Sequence, residues 1–362
     1  MTGASVDPTT DPTTDPTTDP ATTPTDAEIE AAVRWQTGED ERHVALTDDG
    51  WHLGLYRYRP AGTSARPRPF PVVMGHGLCG SRFIFDCHPD YSLARYLAAA
   101  GYDVWLVDLR GRNESWPDGG PDRSLQWSFD DFVAFDLPAA VATACEITGA
   151  PEAFWLGTET SGLAFYAAVI AGSTAQLRGG ITMGAPAVTP PEAQVPGVTT
   201  GFPQSDGARL AFSMVADIGP RLAADRSDLL ESSFRSANTD WVVTARYFRH
   251  GVPDEATDLV DQFRDWMVEG VMRTRDGSIV YSNRLADVRL PVLVFAGAAD
   301  LQRPPDAVRA TFDALGSVDK TFVRVGRADG FPVDAGHDDL IAGRHAPTHV
   351  FPIVADWLDA RS

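Results

Sequence analysis

The sequence has no uninterrupted apolar run of the roughly eighteen residues that a membrane-spanning helix needs, so no such helix is expected. Its N-terminus lacks a basic segment followed by an apolar one, so no signal peptide is expected either. Cysteine is scarce. Cys79, Cys87 and Cys145 show no metal-ligand spacing, and an odd number without a signal peptide fits three inert thiols in a reducing cytoplasm. No phosphate-cradling G-x-x-x-x-G-K-[ST] occurs and no dinucleotide fingerprint follows the first strand, so no cofactor is expected. A metal site is not expected either. Positive charge is also in short supply, with 30 Lys and Arg against 50 Asp and Glu, for a formal net charge of −20. A surface that acidic repels phosphate backbones and anionic lipid heads. Nucleic acid and membrane are thereby excluded as expected partners, and a small molecule remains.

What is present is enough apolar sequence for a large core. The 362 residues, 43% of them apolar, can build one large α/β domain with an insertion, or two domains. Residues 7–20 repeat DPTT, and proline at every fourth position blocks helix and ladder alike. Residues 1–26 are therefore expected to form a disordered tail. From Ala27 the pattern becomes periodic. RHVALT and HLGLYRYRP alternate in period two about DDG, the pattern of a hairpin. PFPVVMGHG, YDVWLVDLRGR, AFWLGTE, LRGGITMGAPA, PVLVFAG and KTFVRVG read as buried strands. They alternate with helical segments such as DYSLARYLAAAG, TSGLAFYAAVIAG and PDAVRATFDALG. Within SFDDFVAFDLPAAVATACEITGA, Ser128 is a candidate N-cap and Pro138 a candidate kink. This rhythm predicts an α/β fold with a mostly parallel sheet covered by helices on both faces. Residues 190–288 break it and read as a helical cap. The core is then assigned to residues 27–189 and 289–362.

The stretch EAFWLGTETSGLAFYAA, residues 152–168, frames the chemistry. It reads as a strand, a sharp turn of small residues and a helix. A nucleophile on such a turn sits in strained backbone, so residues two before and two after it must be small. Gly157 and Ser161 meet that demand around Glu159. Glu159 falls at a helix N-terminus, where negative charge is favoured. Asp300 follows the strand PVLVFAG, and His337 lies in DAGHDDLIAG ahead of the last helix. Nucleophile, acid, histidine is the chain order of an α/β-hydrolase triad. VVMGHGLCGS places His76 and Gly77 at another strand end. Backbone N–H groups of Leu78 and Thr160 are the candidate oxyanion donors. His76, Tyr247, Trp266 and Tyr281 are candidates to line the pocket. Arg110, Arg112 and Asn113 either touch substrate or hold local structure.

On these motifs the sequence resembles the α/β-hydrolase superfamily, and within it the lipase and polyhydroxyalkanoate-synthase-like branch. GHGLCGS, LARYLAAAGYDVWLVDLRGRNES, SFDDFVAFDLPAAV and GHDDLIAGRHAPTHVFPIVADWL carry the resemblance, which covers nearly the whole chain from residue 41. It implies a nucleophile at position 159, an acid at Asp300, a base at His337 and an oxyanion hole from Leu78 and Thr160. The chain departs from it in having glutamate where the pattern has Ser, Cys or Asp.

A glutamate there admits three readings. It can attack an electrophilic carbon and form an ester that His337-activated water cleaves, with Tyr247 and Tyr281 as phenolic acids. It can act as a general base or charge partner to His337 in hydrolysis, lyase or cyclase chemistry. Or the protein is a non-catalytic ligand-binding or scaffold relative. The leading expectation is a hydrolase acting on a small, largely apolar ester-like or strained-ring substrate.

Overall fold

The computed structural model describes residues 23–61, 67–122, 124–188 and 215–362. Residues 1–22 of the expected tail and 190–214 of the expected cap lie outside these. Among the described residues nine strands form one sheet: β1 (Glu41–Leu46), β2 (Trp51–Tyr58), β3 (Val72–Gly75), β4 (Val104–Val107), β5 (Trp116–Pro117), β6 (Ala153–Thr158), β7 (Leu177–Met183), β8 (Val292–Gly297) and β9 (Lys320–Val325). The order is β1-β2-β4-β3-β6-β7-β8-β9, with β5 on β2. β1 and β2 form an antiparallel hairpin, and β2 runs antiparallel to β4. From β4 across to β9 every neighbouring pair is parallel.

Helices cover both faces, which is why the central strands read as continuous apolar runs. Val73, Trp105 and Trp155 point to one face, where helices Leu137–Thr148 and Glu159–Ala171 pack. Met74, Leu106 and Leu156 point to the other, under Leu93–Ala99 and Phe351–Asp359. The Ser128 cap is in place, paired reciprocally with Asp131. A π-helical turn runs over Phe132–Asp136, two residues ahead of Pro138. Proline offers no N–H to the preceding turn, and a wider turn accommodates its ring.

The segment after β7 divides in two. Val215–Ala224 and Trp241–His250 pack on each other and lie over the strand ends, where Tyr247 and Phe248 face a cavity. Helix Asp26–Ala32 is laid against this pair. Arg246 Nε donates to the Ala32 carbonyl at 2.7 Å, the His250 ring bonds the Val33 carbonyl at 2.7 Å, and Arg249 pairs with Glu30. Thr257–Glu269 turns the other way and buries Phe263 and Trp266 against Phe129, at ring separations of 6.0 and 4.8 Å.

The turn after β6 positions the site. Glu159 opens its helix at φ +43°, a left-handed conformation that costs a side-chain-bearing residue roughly 1–2 kcal/mol. The turn closes only because Gly157 has no side chain. A Cβ there would lie 2.3 Å from the Ser161 carbonyl carbon and 2.4 Å from the Gly162 nitrogen. Those are backbone atoms of a buried turn and have nowhere to move. Gly157→Ala should therefore destabilise the protein by about 3 kcal/mol, read as a fall in the thermal midpoint. A midpoint equal to that of the unaltered protein would refute this account of the turn.

Candidate active site

Loops after β3, β6, β8 and β9 converge with the roof helices on a cavity of about 240 Å³. Glu159 forms its floor and is 4% exposed. Its Oε2 accepts the Leu78 N–H at 2.6 Å and the Thr160 hydroxyl at 3.2 Å. Its Oε1 is ion-paired with Arg303 Nη2. Burial works against the charge, but the Arg303 guanidinium, His337 and the Leu78 N–H outweigh it and hold the carboxyl below the usual carboxylate range. The Leu78 N–H, expected from the sequence as an oxyanion donor, is taken up by the carboxylate itself. Gly77 leaves room for it: a Cβ there would lie 2.9 Å from Oε2.

His337 and Asp300 are joined. Asp300 Oδ2 accepts from His337 Nδ1 at 2.7 Å. Its Oδ1 accepts the backbone N–H groups of Gln302 and Arg303 at 2.9 and 2.8 Å. One carboxylate thus orients the imidazole and pins the loop that carries Arg303. Burial opposes charge on His337, but Asp300, then Asp338 and Glu159, push its pKa up to about 9. The ring is therefore an imidazolium at neutral pH. Asp338, next along the cavity wall, is pushed up to about 7 by burial with Asp300, Asp339 and Glu159, against the pull of His337.

The other candidates divide. Tyr247 and His76 line the cavity. Tyr247 is half-buried, and the loss of solvent around its phenol raises it well above the usual range and keeps the proton on it. His76 has both ring nitrogens in use: Nε2 accepts the Leu109 N–H at 3.1 Å, and Nδ1 donates to the Gly77 carbonyl at 2.9 Å. Burial lowers its pKa to about 4, so it is neutral and shapes the loop. Trp266 and Tyr281 do not reach the cavity. Both join the hydrophobic core beside Phe129, because the apolar face of Thr257–Glu269 is buried against the sheet's helices and not against the site. Thr160 donates its hydroxyl to Glu159 Oε2. Arg110, Arg112 and Asn113 hold local structure, bonded to Asp136, Glu255 and Asp108 respectively.

A family model for serine aminopeptidase, S33, matches residues 72–327. The chain belongs to that family. Mouse (Mus musculus) lipase member K is 37% identical over 126 residues, which cover 32% of this chain and 31% of the relative. Gastric triacylglycerol lipase of Rattus norvegicus is 37% identical over 125 residues, again 32% and 31%. The chain thus spans less than a third of the length of these curated relatives. The monoacylglycerol lipase of Paleococcus ferrophilus superposes with a TM-score of 0.55 at 17% identity, covering 86% of this chain and 99% of that one. At that identity the likeness establishes the shared α/β-hydrolase fold.

At the turn where the sequence resemblance expects Ser, Cys or Asp, this S33-family chain carries Glu159. The residue the sequence motifs passed over is Arg303. Its signal lies in DLQRPP, where a cation sits three residues beyond Asp300, in a loop at the carboxyl edge of the sheet. A buried glutamate needs such a partner.

Raising the His337 pKa from 6.5 to about 9 on folding stabilises the protein fully below pH 6.5. That stabilisation fades as pH rises and is lost above about pH 9. The free energy of unfolding attributable to this ring should therefore decline over that interval, by on the order of 3 kcal/mol. NMR titration should place the His337 ring near 9, and lower in Glu159→Gln, which removes one neighbouring anion. A ring titrating near 6.5 in both proteins would contradict the arrangement.

Proposed function

We propose that this S33-family protein is a hydrolase that opens a strained ring at a saturated carbon through a covalent ester on Glu159. The hydrogen bond from Leu78 N–H to Glu159 Oε2 carries this reading. Direct hydrolysis of an ester requires a vacant oxyanion hole to receive the substrate's carbonyl oxygen. A carboxylate nucleophile requires the opposite. Its own non-attacking oxygen should rest in the hole, because negative charge gathers there when water later attacks the ester carbon. The lipases similar to parts of the chain support hydrolysis as the reaction class.

The protons balance with His337 starting as imidazolium. Oε1 attacks a ring carbon of an epoxide and the ring C–O bond breaks. The leaving oxygen takes the proton of His337, while the Tyr247 phenol hydrogen-bonds it. Glu159 is now a neutral ester, so one of the anions that kept His337 protonated is gone, and the ring is the base the next step needs. His337 removes a proton from water, the hydroxide adds to Cδ, and the oxyanion forms on Oε2 beside Leu78. Collapse expels the product alkoxide, which takes the proton from His337. A diol leaves, the Glu159 carboxyl passes its proton to His337 to restore the starting charges, and it retains one oxygen from water.

A second reading is favoured by Arg303. Its guanidinium holds Oε1, the attacking atom, and a protein that only binds a ligand would lose nothing by such a pair. Labelling separates the two. A single turnover in heavy-oxygen water should place one label on the peptide containing Glu159. Glu159→Gln and His337→Ala should each lower turnover by roughly a thousandfold or more while the fold survives. The rate constant kcat/KM should be level through neutral pH and fall as pH rises through about 9, where His337 loses its proton. An active protein with unlabelled Glu159 rules out the ester. Silence across epoxide screens, with a small ligand still raising the melting temperature, leaves the binding protein.

A further inference from the structure

We infer that the molecule taken by this site carries a carboxylate, which pairs with Arg303 and releases Glu159 Oε1 to react. The reactive half of this inference rests on the covalent reading above; the binding half does not.

Arg303 is 8% exposed, lines the cavity and is ion-paired with Glu159. Its Nη1 has weaker partners, the Gln302 carbonyl at 3.2 Å and the Met267 sulfur at 3.6 Å. The backbone N–H of Arg303 is held by Asp300, so the guanidinium is presented from a pinned loop. A guanidinium fork accepts a second carboxylate in two-point geometry.

The charge balance over the reaction makes a ligand anion necessary. In the resting site Glu159 and Arg303 neutralise each other. A neutral substrate would have to part a buried ion pair with nothing to replace either member. Once Oε1 has formed its bond to the ring carbon, and the ring oxygen has taken the His337 proton, Glu159 carries no charge. Arg303 would then be a buried cation without an ion-pair partner among the described residues. A substrate carboxylate removes both difficulties, because Arg303 exchanges one carboxylate for another and remains paired until the diol leaves. The net charge of −20 does not oppose this inside the cavity. Exposed charges beyond about 8–10 Å are largely screened at physiological salt. The cations that line the cavity are Arg303 and His337, and the acids on the same wall are Glu159 and Asp338.

Two isosteric pairs test it. In the binding arm, 3-phenylpropanoate and 3-phenylpropanamide are titrated calorimetrically into the full chain, Glu159→Gln and Arg303→Gln. The acid should bind at least about tenfold tighter than the amide. Its affinity should rise further in Glu159→Gln, where Arg303 has lost its internal partner, and the preference should vanish in Arg303→Gln. If Arg303→Gln fails to fold, Glu159→Gln/Arg303→Gln, which leaves no unpaired buried charge, takes its place. Equal binding of acid and amide to the unaltered protein, or a preference that survives loss of Arg303, overturns the inference. In the turnover arm, 3-phenyloxirane-2-carboxylate should label Glu159 on the order of 10- to 100-fold faster than its carboxamide. Equal labelling by both overturns the anion inference and leaves the Glu159 ester standing. Acid-selective binding without labelling by either leaves the anion site standing and removes the ester.

Discussion

Glu159 is a negative charge taken out of water, and the site is organised around keeping it charged. An isolated carboxylate at that depth would take up a proton, because burial without compensation costs several kcal/mol or more. Compensation comes from three directions: the Arg303 guanidinium, the His337 imidazolium and the N–H of Leu78. Each sits on a different loop, following β8, β9 and β3 respectively. The parallel sheet brings these loops to one edge, so the fold itself gathers the counter-charges. That shared edge is also where an α/β sheet leaves room for a ligand.

Asp300 couples two of those directions. It accepts from His337 with one oxygen and from the loop bearing Arg303 with the other. A serine at position 159 would ask only the first service of it. With a carboxylate in that place, the same aspartate also sets the position of the cation. The cation that pairs with Glu159 is thereby placed by the residue that orients the imidazole. It also explains why His337 is more basic than an imidazole facing a hydroxyl would be, since Glu159 adds to the anions around it.

Much of this was legible in the residues. Buried parallel strands are continuous apolar runs, and VVMG, VWLV and VLVFAG are unmistakable as such. The turn at Glu159 announces itself through Gly157, Ser161 and Gly162, because only small residues let the chain reverse there. Asp300 and His337 follow from their order and their strand-end contexts. The failures have a common cause. Amphipathic spacing in TDLVDQFRDWMVE tells that the helix has an apolar face, but not which surface that face meets. Trp266 therefore packed beside Phe129 and away from the ligand. The Arg303–Glu159 pair links residues 144 apart in sequence, and no local pattern encodes a partner at that distance.

The N-terminal helix has a mechanical meaning. Asp26–Ala32 precedes the first strand, yet its bonds from Arg246, Arg249 and His250 run to the insertion. In chain order it is an appendage, whereas in space it is a clasp on the helices over the cavity. Trimming the chain back to the first strand would thus do more than remove a tail. It would unfasten Trp241–His250, and with it Tyr247, from the cavity that this tyrosine lines together with Glu159.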